Sequence, residues 1–283
     1  MPELPEVEVL ARFLRPLLIN KVIRAITVQR DKVLRPTPVV HFKRVLRDTR
    51  FTEVARRGKY LLFTLRPRGQ GNPLTLVGHL GMTGRLYLMP AASPLPKHAA
   101  VVFNLGRHKL VFEDTRYFGR VTLDTSPINH LGPEPLSTDF SVAYFVQTLK
   151  RYRQDIKVKL LDQTVVAGIG NIYASEALFR ARLSPHTPAH TLTPSQVKRL
   201  WQSVRSVLTE AITWGSTVPL NWSGVGERNR LFYYGAAPGA AAFYQERLCV
   251  YDRQGQPCRA CGTLIERCIQ AARSTFYCPK CQS

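Results

Sequence analysis

Pro2, Glu3 and Glu6 place an imino acid and two carboxylates within the first turn of what reads as a helix. Trimming of the initiator methionine is usual before a small residue such as proline. It would leave Pro2 as a free secondary amine beside those acids. An amine next to a carboxylate is the equipment for attack on a sugar or carbonyl carbon, followed by proton transfer. The same residues also suit a plain helix start, where proline is tolerated and acids complement the dipole. Taken alone, they favour that plainer reading.

Four cysteines form a second constellation, Cys258-x-x-Cys261 and Cys278-x-x-Cys281. Two close thiolate pairs at this spacing match one tetrahedral zinc ion, with no open position for water. A module this short cannot bury enough core to fold alone. Metal binding supplies the difference, on the order of 10 kcal/mol or more. The spacing suits a hairpin with strands at Thr263–Ile265 and Thr275–Tyr277, its tip carrying Arg267, Gln270 and Arg273 toward nucleic acid. Cys249 and Cys268 fall outside the pattern and read as incidental thiols.

The elements that must hold these groups can be read from periodicity. Val7, Leu10, Phe13, Leu14, Leu17 and Leu18 recur at helical spacing, so the N-terminus is a helix packed from its first turn. Roughly eight short β-type runs follow up to Asp124, broken by Gly, Pro and Asn, with Gly58 and Lys59 at a turn. Arg30–Pro38 reads as a basic, proline-broken loop, and no internal helix is expected in this region. The natural domain is a β-sandwich with the N-terminal helix laid across one edge.

Residues 126–139, rich in Pro and Gly, read as a linker. Helical spacing then covers Phe140–Tyr152, Ile156–Gln163, Asn171–Ala181 and Pro194–Trp214. Gly168 and Gly170 precede Asn171. They make either a tight helix–helix connection or a close approach that leaves the helix N–H groups free for a phosphate. Residues 215–256 carry no strong pattern, as in a functional loop or a disordered one.

The charge balance, 40 basic against 19 acidic residues for a net +21, favours a polyanionic partner, with nucleic acid foremost. An apolar fraction of 45% excludes a disordered chain. No run approaches the ~20 apolar residues of a membrane span, and no signal-peptide order is seen. A soluble, cytoplasmic, nucleoid-associated protein is expected.

The motifs in order resemble bacterial formamidopyrimidine-DNA glycosylases. They are Met-Pro-Glu-Leu-Pro-Glu-Val-Glu at the start, Arg57-Gly58-Lys59-Tyr60, His79-Leu80-Gly81-Met82-Thr83-Gly84, and Leu131-Gly132-Pro133-Glu134-Pro135-Leu136. Gly168-Ile169-Gly170-Asn171-Ile172-Tyr173-Ala174-Ser175-Glu176 and the cysteine pairs complete the set. The likeness is weaker over Val33–Phe51 and Gly215–Tyr244.

The resemblance implies an α+β multidomain fold. It comprises an N-terminal helix and β-sandwich catalytic domain (1–125), the linker (126–139), a helix–two-turn–helix DNA-binding domain (140–247) with a lesion-reading loop at 215–244, and a zinc-finger hairpin (248–283). It implies a monomeric bifunctional glycosylase and abasic-site lyase of base excision repair. Such an enzyme removes oxidised purines from double-stranded DNA lying between its domains, with the damaged nucleotide flipped out.

Residue by residue, it implies Pro2 as nucleophile at C1′, Glu3 as the proton-transfer carboxylate and Glu6 as a second acid near the site. Lys59 is implied as the catalytic lysine. His79 and Asn171 are implied as phosphate contacts, and Arg273 as the clamp on phosphates flanking the flipped nucleotide. Met82, Arg116 and Phe118 are implied to fill the vacated gap, and Glu176 to act as a helix-stabilising or sugar-side acid. Where the family usually reads Pro-Arg-Arg-Phe-Gly, this chain has Thr115-Arg116-Tyr117-Phe118-Gly119. The second arginine normally binds phosphate, so altered DNA affinity is expected, with the chemistry kept. Two other readings stand beside this one. The first is an endonuclease-VIII-like enzyme for oxidised pyrimidines, a group that usually opens Pro-Glu-Gly-Pro-Glu. The second is a non-catalytic DNA-binding zinc protein on the same scaffold.

Overall fold

A computed structural model describes residues 2–69, 71–215 and 247–282. The expected lesion-reading loop, 215–244, lies outside the described residues save for Gly215. The chain divides into two compact units. Pro2 and Glu6–Asn129 belong to the first, while Glu3–Pro5 and the described residues from His130 onward belong to the second.

The first unit is a sandwich of two antiparallel sheets. Strands β1 (Ala25–Val28), β6 (Ala99–Asn104), β7 (His108–Glu113) and β5 (Arg85–Pro90) lie in that order in one sheet. Strands β2 (Arg50–Arg57), β3 (Tyr60–Arg66), β4 (Leu74–His79) and β8 (Arg120–Thr122) form the other. Alternation drives the packing: Leu61, Phe63 and Leu65 of β3 are buried and their neighbours are not. Each such side chain contributes about 2 kcal/mol of burial. Helix α1 (Leu4–Leu18) adds Val7, Leu10, Leu14 and Leu18 to the same core.

The expectation of no internal helix was wrong. Helix α2 (Val39–Leu46) buries Phe42 and Leu46, spaced i and i+4 on one face. Its basic, polar remainder hid that short stripe. Nor is the proline-broken stretch a plain loop, because a 3₁₀ turn at Asp31–Leu34 buries Val33 and Leu34. The unit ends in a short helix, α3 (Ser126–Asn129).

The second unit takes up residues 130–139, so the proposed linker is in large part built structure. Gly132 N–H donates to Gln163 O at 2.8 Å, Ala167 N–H donates to Pro133 O at 3.0 Å, and Phe140 is fully buried. Helices α4 (Val142–Leu149), α5 (Ile156–Leu161), α6 (Asn171–Arg180) and α7 (Pro194–Gly215) follow. The Ser141 hydroxyl caps α4 by accepting from Tyr144 N–H at 3.1 Å. Helix α6 is buried from Ile172 through Leu178, so it is the central helix of this unit.

The finger hairpin pairs β9 (Glu266–Gln270) with β10 (Arg273–Tyr277). Its first strand begins after Thr263–Ile265, where only an isolated Pro257–Leu264 bridge forms. Ala271 and Ala272, both at positive φ, make the two-residue turn and set that register.

Candidate active site and metal centre

In the first unit, two predicted positions, Lys59 and His79, lie at one end of the second sheet. The β2–β3 turn, with Gly58 at φ 56°, presents Lys59. Tyr60 pairs with His79, and His79 pairs with Arg120, so the turn, the end of β4 and the start of β8 are neighbours. Helix α1 is tied to the same turn. Arg56 Nε donates to Glu8 Oε2 at 2.8 Å, and its Nη1 donates to Gly58 O at 3.0 Å. Burial pushes the Glu8 carboxyl up, but hydrogen bonds from Arg56 and Arg12 outweigh it and hold the group below its usual range.

His79 has a defined tautomer. Its Nδ1 accepts from Gly81 N–H at 3.2 Å, which leaves the proton on Nε2. Burial, then the nearby Lys59 and Arg120 charges, lower its pKa to about 4. The ring is therefore a neutral Nε2–H donor at neutral pH, suited to a phosphate oxygen. This has a sign for stability. The unfolded histidine takes up a proton near its ordinary pKa of 6.5, and the folded one resists it until about 4. Stability from this group is full above the higher value and is lost as pH falls through the window, by on the order of 3 kcal/mol at most. Melting curves of the parent and His79→Asn should diverge at neutral pH and converge toward pH ~4.

Asp114, fully buried, shapes the neighbouring loop. It accepts from Thr83 Oγ1 at 2.5 Å, Arg116 N–H at 3.1 Å and Gly119 N–H at 2.8 Å. Two turns thereby lock together, and a Cβ on Gly81 would stand only 2.7 Å from the Gly119 nitrogen. Met82 and Phe118 project outward, 43% and 49% exposed. Arg116 bridges them, with Nη1 3.3 Å from Met82 Sδ and its guanidinium 4.8 Å from the Phe118 ring centre. A guanidinium between two exposed apolar side chains suits insertion beside stacked bases.

In the second unit, Glu3 is 1% exposed and occupies the N-terminus of α6. Its Oε2 accepts from Gly170 N–H at 2.7 Å and Tyr173 N–H at 3.4 Å, and its Oε1 accepts from Ile172 N–H at 2.9 Å. The reading of these amides as a phosphate site is thus overturned. A carboxylate from the same chain satisfies them and faces the positive helix end.

Asn171 donates Nδ2–H to Ser274 O at 2.8 Å, and its Oδ1 accepts from Lys157 Nζ at 2.7 Å. Lys157, fully buried, also donates to Ser274 O and Thr275 Oγ1, so three acceptors face its three N–H groups. Burial first, with the Arg273 charge adding to it, lowers its pKa to about 8 against the opposing pull of Cys268 and Glu3. The Arg273 side chain is exposed at the start of β10. Gln270 is not at the surface as expected. It is buried and donates to Asp155 Oδ2 at 2.7 Å and Pro185 O at 3.2 Å.

Glu176 is also a tether. Its carboxylate accepts the N–H groups of Cys249, Val250 and Tyr251 at 2.8–2.9 Å, fixing the segment that leads into the finger. Burial raises its pKa against those bonds.

The four cysteine sulfurs lie within 4.8 Å of one another, with Cys258–Cys281 at 3.9 Å and Cys261–Cys278 at 3.5 Å. Zinc–sulfur bonds of ~2.3 Å in a tetrahedron require separations of roughly 3.8 Å. The cage fits one zinc ion with no vacant position.

Family models match almost the whole chain. They are the formamidopyrimidine-DNA glycosylase N-terminal domain over residues 1–121, its H2TH domain over 131–220, and the zinc finger found in FPG and IleRS over 255–283. A formamidopyrimidine-DNA glycosylase of Pelotomaculum thermopropionicum is 41% identical, across 100% of this chain and 99% of that protein. The crystal structure of MutM (FPG) from Thermus thermophilus superposes with a TM-score of 0.81 at 39% identity, covering 99% of this chain and 98% of that one. A Lactococcus lactis FPG mutant in complex with Fapy-dG-containing DNA gives 0.86 at 31% identity, with both chains fully covered.

The chain belongs to the formamidopyrimidine-DNA glycosylase family.

Within this family member, sequence reasoning missed several of the residues that hold the site. Glu8, Arg56, Asp114 and Lys157 carry no local signal, because their partners are distant in the chain: Glu8 and Arg56 are 48 apart, Asp114 and Thr83 31 apart, and Lys157 and Thr275 118 apart. The finger gives a direct prediction. Among the described residues its cluster buries Val250, Cys258, Ile265, Phe276 and Cys278, a small core. Stripping the metal with a chelator is expected to unfold residues 247–282. Loss of amide exchange protection confined to the finger, with the sandwich unchanged, is the measurement.

Proposed function

We propose that this family member is a bifunctional DNA glycosylase and abasic-site lyase that excises oxidised purines in base excision repair. The observation that carries the proposal is Glu3, a buried carboxylate fixed by three amides of α6 and its N-cap and adjacent in sequence to the buried Pro2. A carboxylate so fixed is placed for proton transfer at the sugar.

The Pro2 amine adds to C1′ while the bond from C1′ to the damaged base breaks, and the base leaves with the electron pair and takes up a proton. The amine proton is lost, the C1′–O4′ bond breaks with O4′ taking up a proton, and the resulting iminium, permanently charged, acidifies the C2′ hydrogens. Removal of one expels the 3′ phosphate, and a second elimination expels the 5′ phosphate. Glu6 and Lys59 assist the chemistry. His79, Asn171 and Arg273 hold phosphates, and Met82, Arg116 and Phe118 fill the place of the flipped nucleotide. Relatives of this fold are described in complexes with Fapy-dG-containing and abasic-site DNA, which supports the substrate class. The net charge of +21 supports the polyanionic partner. The protein acts as a monomer on nucleoid DNA in the cytoplasm. Among the described residues no helix is long and apolar enough to cross a membrane.

The test is borohydride trapping on duplexes carrying 8-oxoguanine, an oxidised pyrimidine, or no lesion. A covalent adduct on the purine duplex is expected. An adduct on the pyrimidine duplex alone would transfer the assignment to the endonuclease-VIII-like reading. No adduct with any oxidised base would leave only the non-catalytic scaffold.

A further inference from the structure

Tyr117 occupies the centre of the Asp114 loop in a left-handed conformation, φ 54°, that a tyrosine rarely adopts. Its ring packs, half-buried, on the sandwich core, with the His98 ring 6.5 Å away and inclined at 63°. The guanidinium of Arg30, just beyond the end of β1, stands 5.4 Å from the centre of that ring. Arg30 is exposed, and among the described residues it forms no ion pair. The next two cations on this loop are engaged differently. Arg116 lies against Phe118 and Met82, and Arg120 donates to the carbonyls of Tyr117 and Gly119.

A guanidinium laid on an aromatic ring keeps its edge N–H groups free and directed outward. The contact removes part of its side-chain entropy before any ligand arrives. A fork of donors biased in this way and without an ion-pair partner among the described residues suits a phosphate oxyanion. We propose that Arg30, held by Tyr117, is a DNA-phosphate contact of this protein, placed beside the Arg116–Phe118 tip. The assignment rests on the DNA-repair reading above. It gives a function to Tyr117, which lacks the charge of the family's usual arginine: the ring positions a cation supplied by a distant strand.

The test is the salt dependence of DNA affinity, measured by fluorescence anisotropy on an undamaged duplex and on one with an abasic-site analogue. Arg30→Ala is expected to reduce the slope of log K against log salt by about 0.9 on both duplexes, the value for one lost phosphate contact. Tyr117→Leu is expected to weaken binding several-fold in the parent and by nothing further in Arg30→Ala. An unchanged slope in Arg30→Ala would overturn the proposal, as would an equal Tyr117→Leu loss in both backgrounds. Because phosphate contacts are independent of sequence and lesion, the undamaged duplex still reads Arg30 if the trapping experiment fails. The two ideas therefore stand or fall separately.

Discussion

A chain that keeps Met1, or carries any acyl group on the Pro2 nitrogen, is expected to form no borohydride-trapped adduct and to lose base excision by at least about 10³-fold. The cause is electronic. As an amide, the nitrogen lone pair is delocalised into the carbonyl and cannot add to C1′. A free α-amine titrates at about pH 8, so a useful fraction is neutral under working conditions. DNA affinity, zinc content and melting temperature should stay close to the parent's, because the phosphate and metal ligands are untouched. Comparing a cleanly processed preparation with one blocked by a non-removable extension isolates this single atom. Equal activity in both would remove Pro2 from the mechanism.

Gly170→Ala is expected to be nearly as damaging, for a steric reason. A Cβ there would lie 2.7 Å from Glu3 Cγ and closer still to its Cδ and Oε1. The backbone at Gly170, φ −125° and ψ −159°, is one that alanine adopts freely, so strain is not the issue. An ordinary Gly→Ala change at such a position would stabilise by reducing the freedom of the unfolded chain. Here the added methyl must expel the Glu3 carboxylate from the amides of Gly170, Ile172 and Tyr173. Overpacking and the orphaned buried donors together should cost about 3 kcal/mol or more. Excision should fall by at least about 100-fold through misplacement of the carboxylate proposed to transfer the proton. A variant that melts like the parent and retains full activity would show that Glu3 need not sit on α6.

Both effects involve residues that the sequence singled out, but for reasons the sequence did not supply. The sequence left Gly170 with two readings, a tight helix–helix connection or a close approach open to a phosphate. The group that approaches is Glu3, 167 positions away. Periodicity cannot anticipate such a pair, because the same glycine-plus-helix start serves any anion. Glu176 is the same lesson in miniature. Its helix position was plain, yet its role depends on three amides some 73–75 residues later. Gln270 does flank the hairpin turn, as expected, but its side chain is buried by acceptors the sequence could not pair with it, Asp155 and Pro185, 115 and 85 positions away.

What the sequence by itself determined was everything encoded in near neighbours or in residue type. The apolar alternation of eight strands, the helical stripe of α1, the four-thiol cage and the polyanion-seeking charge each follow from local spacing or composition. So does the exposure of Met82, flanked by Gly81 and Gly84 in a turn too small to pack it. What only the tertiary structure decided is which buried group answers which. The Glu3 carboxylate on α6, the Lys157 ammonium under Ser274, Asp114 between two turns and Arg30 over Tyr117 are all contacts across long stretches of chain. Buried charges and cations on rings are tolerated only when the partner arrives with the right geometry. That geometry exists only once the sheets and helices have closed around it.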